Sequence, residues 1–245
     1  MLPPKLSLFA IVLLTSGCIQ PSQFDDEYEA QFEGNTQRST ELFASGYFPK
    51  SYGEPSTESC GDSSPPRPLI GEYEGEWYPR EWMAAREPSF FLLSENDASP
   101  DFALRFTYLP SFNASVFIRV HKSADKYILI AKRMSRYGGD EPDSIASSKR
   151  IELSSKQSSE LKRLLDEEGL FEEPADYCGF GFDGSRWIFE RVGPQGYSMV
   201  KRWSPTNGAG FNLGEYMYTM TGWSLHSSCL RPLPYPFEDI EFACR

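Results

Sequence analysis

From Phe102 to Trp203 the chain keeps alternating apolar and polar residues with the two-residue period of a β-strand, and one helical pattern interrupts it. Phe102, Leu104, Phe106 and Tyr108 alternate with Ala, Arg and Thr, and Pro110 ends the run. That is the pattern of a strand with one buried face. Ser115 to Val120 alternates again, Lys126 to Met134 makes a third strand, and Lys149, Ile151 and Leu153 outline a fourth. The clearest helix follows, SSKQSSELKRLLDEEG. Ser154 and Gln157 have the spacing of a capping box, Leu161, Leu164 and Leu165 share a face, and Gly169 with Pro174 beyond it stops the helix. Ser185 to Val192 and Tyr197 to Trp203 form a hairpin through GPQG, and a last helix from about Phe211 to Thr221 carries Leu213, Met217 and Met220 on one side. Strands, helix, hairpin, helix is the order of an α+β fold: an antiparallel sheet of about six strands with two helices, not a doubly wound parallel sheet.

That order decides the reading of CGFGFDGSRW, residues 178–187. Gly179, Gly181 and Gly184 match the G-x-G-x-x-G spacing of a dinucleotide cradle. Such a cradle follows a strand and opens a helix, so that the helix N-terminus meets the pyrophosphate. Here a loop precedes the glycines and an alternating strand follows, so Asp183-Gly184 reads as the turn into that strand and no cofactor is expected. The pattern D-G-S-R-W-I-F-E from Asp183 to Glu190, followed by the R-W-S-P of Arg202 to Pro205, resembles a family of uncharacterised bacterial proteins. There a D-G-x-x-W-x-x-E strand precedes a G-x-Y strand ending in RWSP. The resemblance extends to RFTYLPSF and the L-S-x-x-Q helix, about half the chain, and it implies no catalytic residues.

The chain opens MLPPKLSLFAIVLLTSGC: one positive charge, an apolar run from Leu6 to Leu14, then small residues. This is the layout of an export signal, and the run is too short for a membrane-spanning helix, which needs about 20 residues. Thr15-Ser16-Gly17-Cys18 resembles the lipobox of bacterial lipoproteins, with Thr15 where that family usually has Leu. The resemblance implies that residues 1–17 are removed, that Cys18 is acylated and held at a membrane, and, with Ile19 next, that the protein is sorted to the outer membrane, facing the periplasm or the surface. Loss of the signal removes Lys5 and no acid, taking the formal charge from −11 to −12. Such acidity argues against nucleic acid, which is bound through clustered Lys and Arg, and leaves a basic envelope protein as a partner class. After Cys18, four cysteines remain, Cys60, Cys178, Cys229 and Cys244. An even number in an exported chain implies disulfides, and of three pairings we favour Cys60–Cys178 and Cys229–Cys244. No C-x-x-C pair exists, so no metal is expected.

Residues 18–68 are rich in Ser, Glu, Gln and Pro and read as a flexible tether. Residues 69–100 are aromatic, with Trp77, Tyr78, Trp82, Phe90 and Phe91, and read as an extension packing on the domain, with a short helix near Glu81 to Arg86. The α+β domain spans 101–223, and 224–245 form a Cys/Pro-rich tail. Trp187, Glu190, Arg202 and Trp203 lie on neighbouring strands and are the candidate ligand-facing residues, meeting across the hairpin; the alternative is a cross-strand ion pair over a core tryptophan. The only histidines, His121 in a turn after a strand and His226 near Cys229, belong to no catalytic pattern, and no G-x-S-x-G elbow exists. No catalytic residue is expected. Three functions stay open: a non-enzymatic, lipid-anchored binding or structural module; an acidic inhibitor or immunity protein against a basic exported enzyme; and an envelope hydrolase using a carboxylate pair from distant positions.

Overall fold

Six strands, β1 (Ala103–Pro110), β2 (Ala114–Ser123), β3 (Lys126–Tyr137), β4 (Ile145–Glu152), β5 (Ser185–Gly193) and β6 (Gly196–Trp203), form one sheet in the order β4-β3-β2-β1-β5-β6. Every neighbouring pair is antiparallel, so the α+β class and the strand number agree with the sequence pattern. The computed structural model describes residues 46–56, 66–95, 100–137, 144–179, 181 and 183–223, all within the unit formed by residues 36–245. Among the described residues four α-helices accompany the sheet: α1 (Glu72–Ala84), α2 (Phe90–Ser94), α3 (Ser155–Glu168) and α4 (Gly208–Met220); α2 was not expected from the sequence.

One face of the sheet is the apolar set of the alternation. Leu104, Phe106, Tyr108, Val116, Ile118, Val120, Leu129, Trp187, Phe189 and Val200 pack there against Leu161, Leu164 and Leu165 of α3 and Leu213 and Met217 of α4. Each such side chain contributes about 1.5–3 kcal/mol through its burial. The capping box that starts α3 is present: Gln157 N donates to Ser154 Oγ at 3.3 Å and Ser154 N to Gln157 Oε1 at 2.9 Å. Gly169 ends the helix in the left-handed region at φ 65°. Helix α4 lies directly on the Trp187 indole because Gly214 faces it: a Cβ there would overlap the ring and stand 3.1 Å from Phe106 Cζ.

The opposite face corrects the one-face reading of β1, all eight of whose residues are buried. Its polar partners in the alternation, Arg105 and Thr107, are both 0 % exposed. They are covered by an N-terminal arm, residues 46–56 and 66–95, whose Tyr47, Phe48, Leu69, Ile70, Tyr78 and Trp82 pack on Leu109, Phe117, Met134, Ile188 and Met199. The packed unit therefore reaches back into the segment read as a tether. Tyr47 stacks on Trp82 at 5.4 Å, Phe48 lies 5.3 Å from it, and Ser56 and Arg67 form an antiparallel bridge. The short helix expected near Glu81 to Arg86 is instead α1, thirteen residues long and containing Pro79. A proline inside a helix normally costs about 3 kcal/mol. Here the burial of Tyr78 and Trp82 on either side offsets it, and Glu74 Oε2 accepts from Gly71 N at 3.2 Å to fix the helix start.

Candidate functional site

The face under the arm is a buried ionic layer laid out by strand register. Arg105 on β1 stands directly opposite Arg119 on β2 and Glu190 on β5. In the next row Phe117 pairs with Lys132 on β3. Two arginines facing each other across a strand pair repel, so an anion must cover them. The arm supplies it. Glu87 Oε2 accepts from Arg119 Nε at 3.0 Å and lies 3.8 Å from Arg105 Nη1, while Oε1 is 2.9 Å from Lys132 Nζ. Burial alone would push the Glu87 carboxyl up, but Lys132, Arg119 and Arg105 overcome it and hold the group at about 2.

Backbone carbonyls of the same turn complete the seat. Arg105 donates to Pro88 O at 2.7 Å and Lys132 Nζ to Arg86 O at 2.9 Å. Arg86 reaches this geometry in the left-handed region at φ 52°. The Arg105 guanidinium is held between the Trp82 and Phe90 rings at 4.4 and 4.6 Å, both from the arm. Trp82 Nε1 donates to Thr107 Oγ1 at 2.9 Å. Behind Arg105, Glu190 accepts its Nε at 2.6 Å and the Tyr197 hydroxyl at 3.0 Å. Burial raises the Glu190 carboxyl, and Arg105 does not fully reverse it. Glu87 and Glu190 thus diverge in the way acid and base partners do. Neither reaches solvent, at 3 % and 0 % exposure, so the pair seats the arm and exposes no reacting group.

A second cluster lies at the start of α1. Glu74 binds Lys201 Nζ, accepts from the Tyr78 hydroxyl at 2.8 Å and lies 3.4 Å from Arg186 Nη2. Burial raises its carboxyl, yet Lys201 and Arg186 bring it below its ordinary value. Asp176 Oδ2 approaches Lys201 at 3.3 Å, and Lys201 N donates to Ala175 O at 2.8 Å, so residues 175–176 cover the outer edge of β6.

The four candidate ligand-facing residues do not converge. Pairing sets Trp187 opposite Arg202 and Glu190 opposite Met199, so Trp187 and Arg202 share the helix-covered face while Glu190 and Trp203 lie on the other. Trp187 is a core residue, its Nε1 donating to Ser185 Oγ at 2.8 Å. Arg202 bonds Glu173 at 2.8 Å and lies 4.1 Å from the Tyr177 ring. The expected pairing of Glu190 with Arg202 is corrected to Glu190 with Arg105, one strand further in. His121 lies inside β2, not in a turn, and burial first, then Arg119 and Arg150, lower it to about 4.

The sequence reading missed Arg105, Arg119, Lys132, Lys201, Glu74 and Glu87. The signal was present as cations inside otherwise apolar strands, in FALRFTY, VFIRV and LIAKR. The glycine-rich stretch agrees with the turn reading: Ser185 opens β5 immediately after Gly184. Cys178, the one cysteine among the described residues, sits in the left-handed region at φ 53°. Cys18, Cys60, Cys229, Cys244 and His226 lie outside the described residues. Among the described residues no cluster of metal-ligating side chains occurs, and no helix is long and apolar enough to cross a membrane. No family model matches the chain, and no curated protein matches it.

Proposed function

We propose that this chain is a lipid-anchored protein of the bacterial cell envelope, acylated at Cys18, whose α+β domain acts as a non-enzymatic binding or structural module. The observation that carries the reading is how the segment on the anchor side is fixed. Residues 66–95, on the anchor side of the sheet, are held to it through Glu74 and Glu87, so the chain coming from the anchor ends in a buried ionic seat. The pairings Cys60–Cys178 and Cys229–Cys244 belong to the same proposal, since an oxidising envelope compartment preserves them. So does placement in the outer membrane. Palmitate labelling and globomycin-sensitive processing are expected for the native chain and lost in Cys18→Ser; labelling that persists in the variant overturns the anchor.

A second reading, an acidic inhibitor or immunity protein against a basic exported enzyme, gains from one observation. Among the described residues the buried cations are Arg105, Arg119, Lys132, Lys201 and Arg202, and the buried acids Glu81, Glu87, Asp176 and Glu190. Folding thus withdraws one more cation than acid, and the exterior keeps the acidity of the chain. An envelope pull-down that recovers one basic enzyme in a salt-sensitive manner supports this reading, and an empty one refutes it.

A further inference from the structure

Among the described residues the large apolar side chains left exposed are Tyr73, Met83, Phe112 and Tyr177. One exposed ring standing alone is ordinary, but the three aromatic residues, each more than half exposed, lie at one end of the sheet, where β1 and β6 finish and β5 begins. Phe112 sits in the turn between β1 and β2, and that turn is tied to the start of β5. Ser111 N donates to Gly184 O at 2.8 Å, and Gly184 N to Ser111 Oγ at 3.2 Å. Tyr73 precedes Glu74, which lies 3.4 Å from Arg186 near the start of β5, and its ring rests 5.5 Å from that of Trp77. Tyr177 follows Asp176, which reaches Lys201 of β6 at 3.3 Å, and its ring meets the Arg202 guanidinium at 4.1 Å. Each ring is thus borne on backbone tied to the sheet, which lowers the ordering cost of using it in binding.

Charge at this end has one sign. Residues 71–79, 109–114, 169–179, 183–185 and 203–209, which build it, contain no Lys or Arg. The cations next to them, Arg186, Lys201 and Arg202, are paired with Glu74, Asp176 and Glu173. Glu72, Glu76 and Asp183 remain exposed at the same end. The opposite end, at the β2–β3 and β5–β6 turns, carries Lys122, Lys126 and Arg191 instead. Rigid aromatic side chains supply most of the energy of a protein interface, and Arg is the side chain that both stacks on a ring and pairs with a carboxylate. Nucleic acid and anionic lipid are repelled by the same carboxylates.

We propose that this end of the domain, through Tyr73, Phe112 and Tyr177, docks the arginine-bearing face of a basic protein. The surface rests on the second reading above, that of a basic exported partner. The test follows the anisotropy of a fluorescein-labelled deca-arginine peptide titrated with the full chain at about 0.15 M salt. Saturable one-to-one binding is expected. The combined change Tyr73→Ser, Phe112→Ser and Tyr177→Ser leaves the charge as it is and should weaken binding by about tenfold or more. Glu76→Lys should weaken it as well, whereas Asp125→Lys, the same charge change in the exposed β2–β3 turn at the opposite end, should not. Circular dichroism melts check that each variant keeps the fold, and the two lysine variants decide the matter where the triple one does not. No saturable binding, undiminished binding by the folded triple variant, or equal weakening by Glu76→Lys and Asp125→Lys overturns the surface, because overall acidity then accounts for the data. Self-association of the chain, or its sedimentation with phosphatidylglycerol vesicles, that disappears in the triple variant gives this end another occupant and overturns the proposal too. An envelope pull-down that recovers the same basic enzyme with the triple variant as with the native chain removes the surface and leaves the second reading standing, whereas an empty pull-down with the native chain removes that reading.

Discussion

Replacing Glu87 by Gln removes the one charge that Arg105, Arg119 and Lys132 share while keeping the size of the side chain. Removing one partner of a buried pair typically costs about 3–5 kcal/mol, because the remaining charge stays buried and uncompensated. The titration of the group leads to a similar figure. Its carboxyl is held at about 2 against an ordinary 4.5, and that difference corresponds to about 3.4 kcal/mol at roughly 1.36 kcal/mol per unit. A depressed acid stabilises fully above its ordinary value and loses the contribution as pH falls through the folded value. The native chain should therefore lose this stability between pH 4.5 and about 2, while Glu87→Gln lacks it throughout, so the gap between the two closes at the acid end. At neutral pH the deficit lowers the melting temperature by about 7–14 °C for a domain of this size. Urea unfolding from pH 7 to pH 2 followed by circular dichroism measures both effects. A deficit below about 1 kcal/mol at pH 7, or one that stays constant down to pH 2, refutes the argument that the three cations depend on this carboxylate.

Gly214→Ala drives a methyl into the Trp187 ring and should cost about 1–3 kcal/mol through overpacking, read as a lower thermal midpoint; an unchanged midpoint means α4 has room to lift. His121 is lowered from 6.5 to about 4, so its contribution is complete above pH 6.5 and disappears as pH falls through the folded value. Its imidazole resonance should titrate near pH 4 in NMR, and a midpoint near 6.5 places it in solvent instead. A chain that begins at residue 101, the domain start suggested by sequence, uncovers Leu109, Phe117, Ile188 and Met199 and leaves Arg105, Arg119 and Lys132 without Glu87. It should fail to melt cooperatively, whereas a chain that begins at residue 46 should; equal melts show that the arm is dispensable.

The strands and α3 were legible because each rests on a local signal: alternation, a capping box and a glycine stop at Gly169. Helix α1 was legible only at its C-terminal end, near Glu81, because Pro79 reads as a breaker and only the burial of Tyr78 and Trp82 on a distant sheet outweighs it. The arm was missed for a related reason. Tyr47 and Phe48 are two aromatics in a polar stretch, and their value comes from partners distant in sequence, Trp82 and Glu87 among them, thirty-odd residues later or more. The ionic layer hid behind a sound rule applied one step too far. Period-two alternation locates the apolar face correctly, but the polar positions need not face water when a segment of opposite charge covers them. Arg105 and Arg119 obey the alternation and are still buried at 0 % and 2 %.

A charged layer is a costly way to join an arm to a sheet, since apolar residues of similar volume often stabilise as well or better. What charge adds here is position. Helix α1 carries Glu74 near its first turn, and Glu87 follows three residues past its end, so each carboxylate meets its own cationic cluster only when the arm sits in one place. A shift by one helical turn lifts Glu87 off Arg119 and Lys132 and leaves both cations buried without a counter-charge, at a penalty of several kcal/mol. Apolar contacts among Trp82, Phe117 and Ile188 carry no such penalty and tolerate sliding. The triple change Glu87→Met, Arg119→Leu and Lys132→Met, which leaves Arg105 to Glu190, should accordingly keep or raise the unfolding free energy. Its amide resonances from residues 72–90 should nevertheless broaden or double as the arm samples more than one seat. A single sharp set with native hydrogen-exchange protection means that shape alone positions the arm, and the charges then have no role in its register.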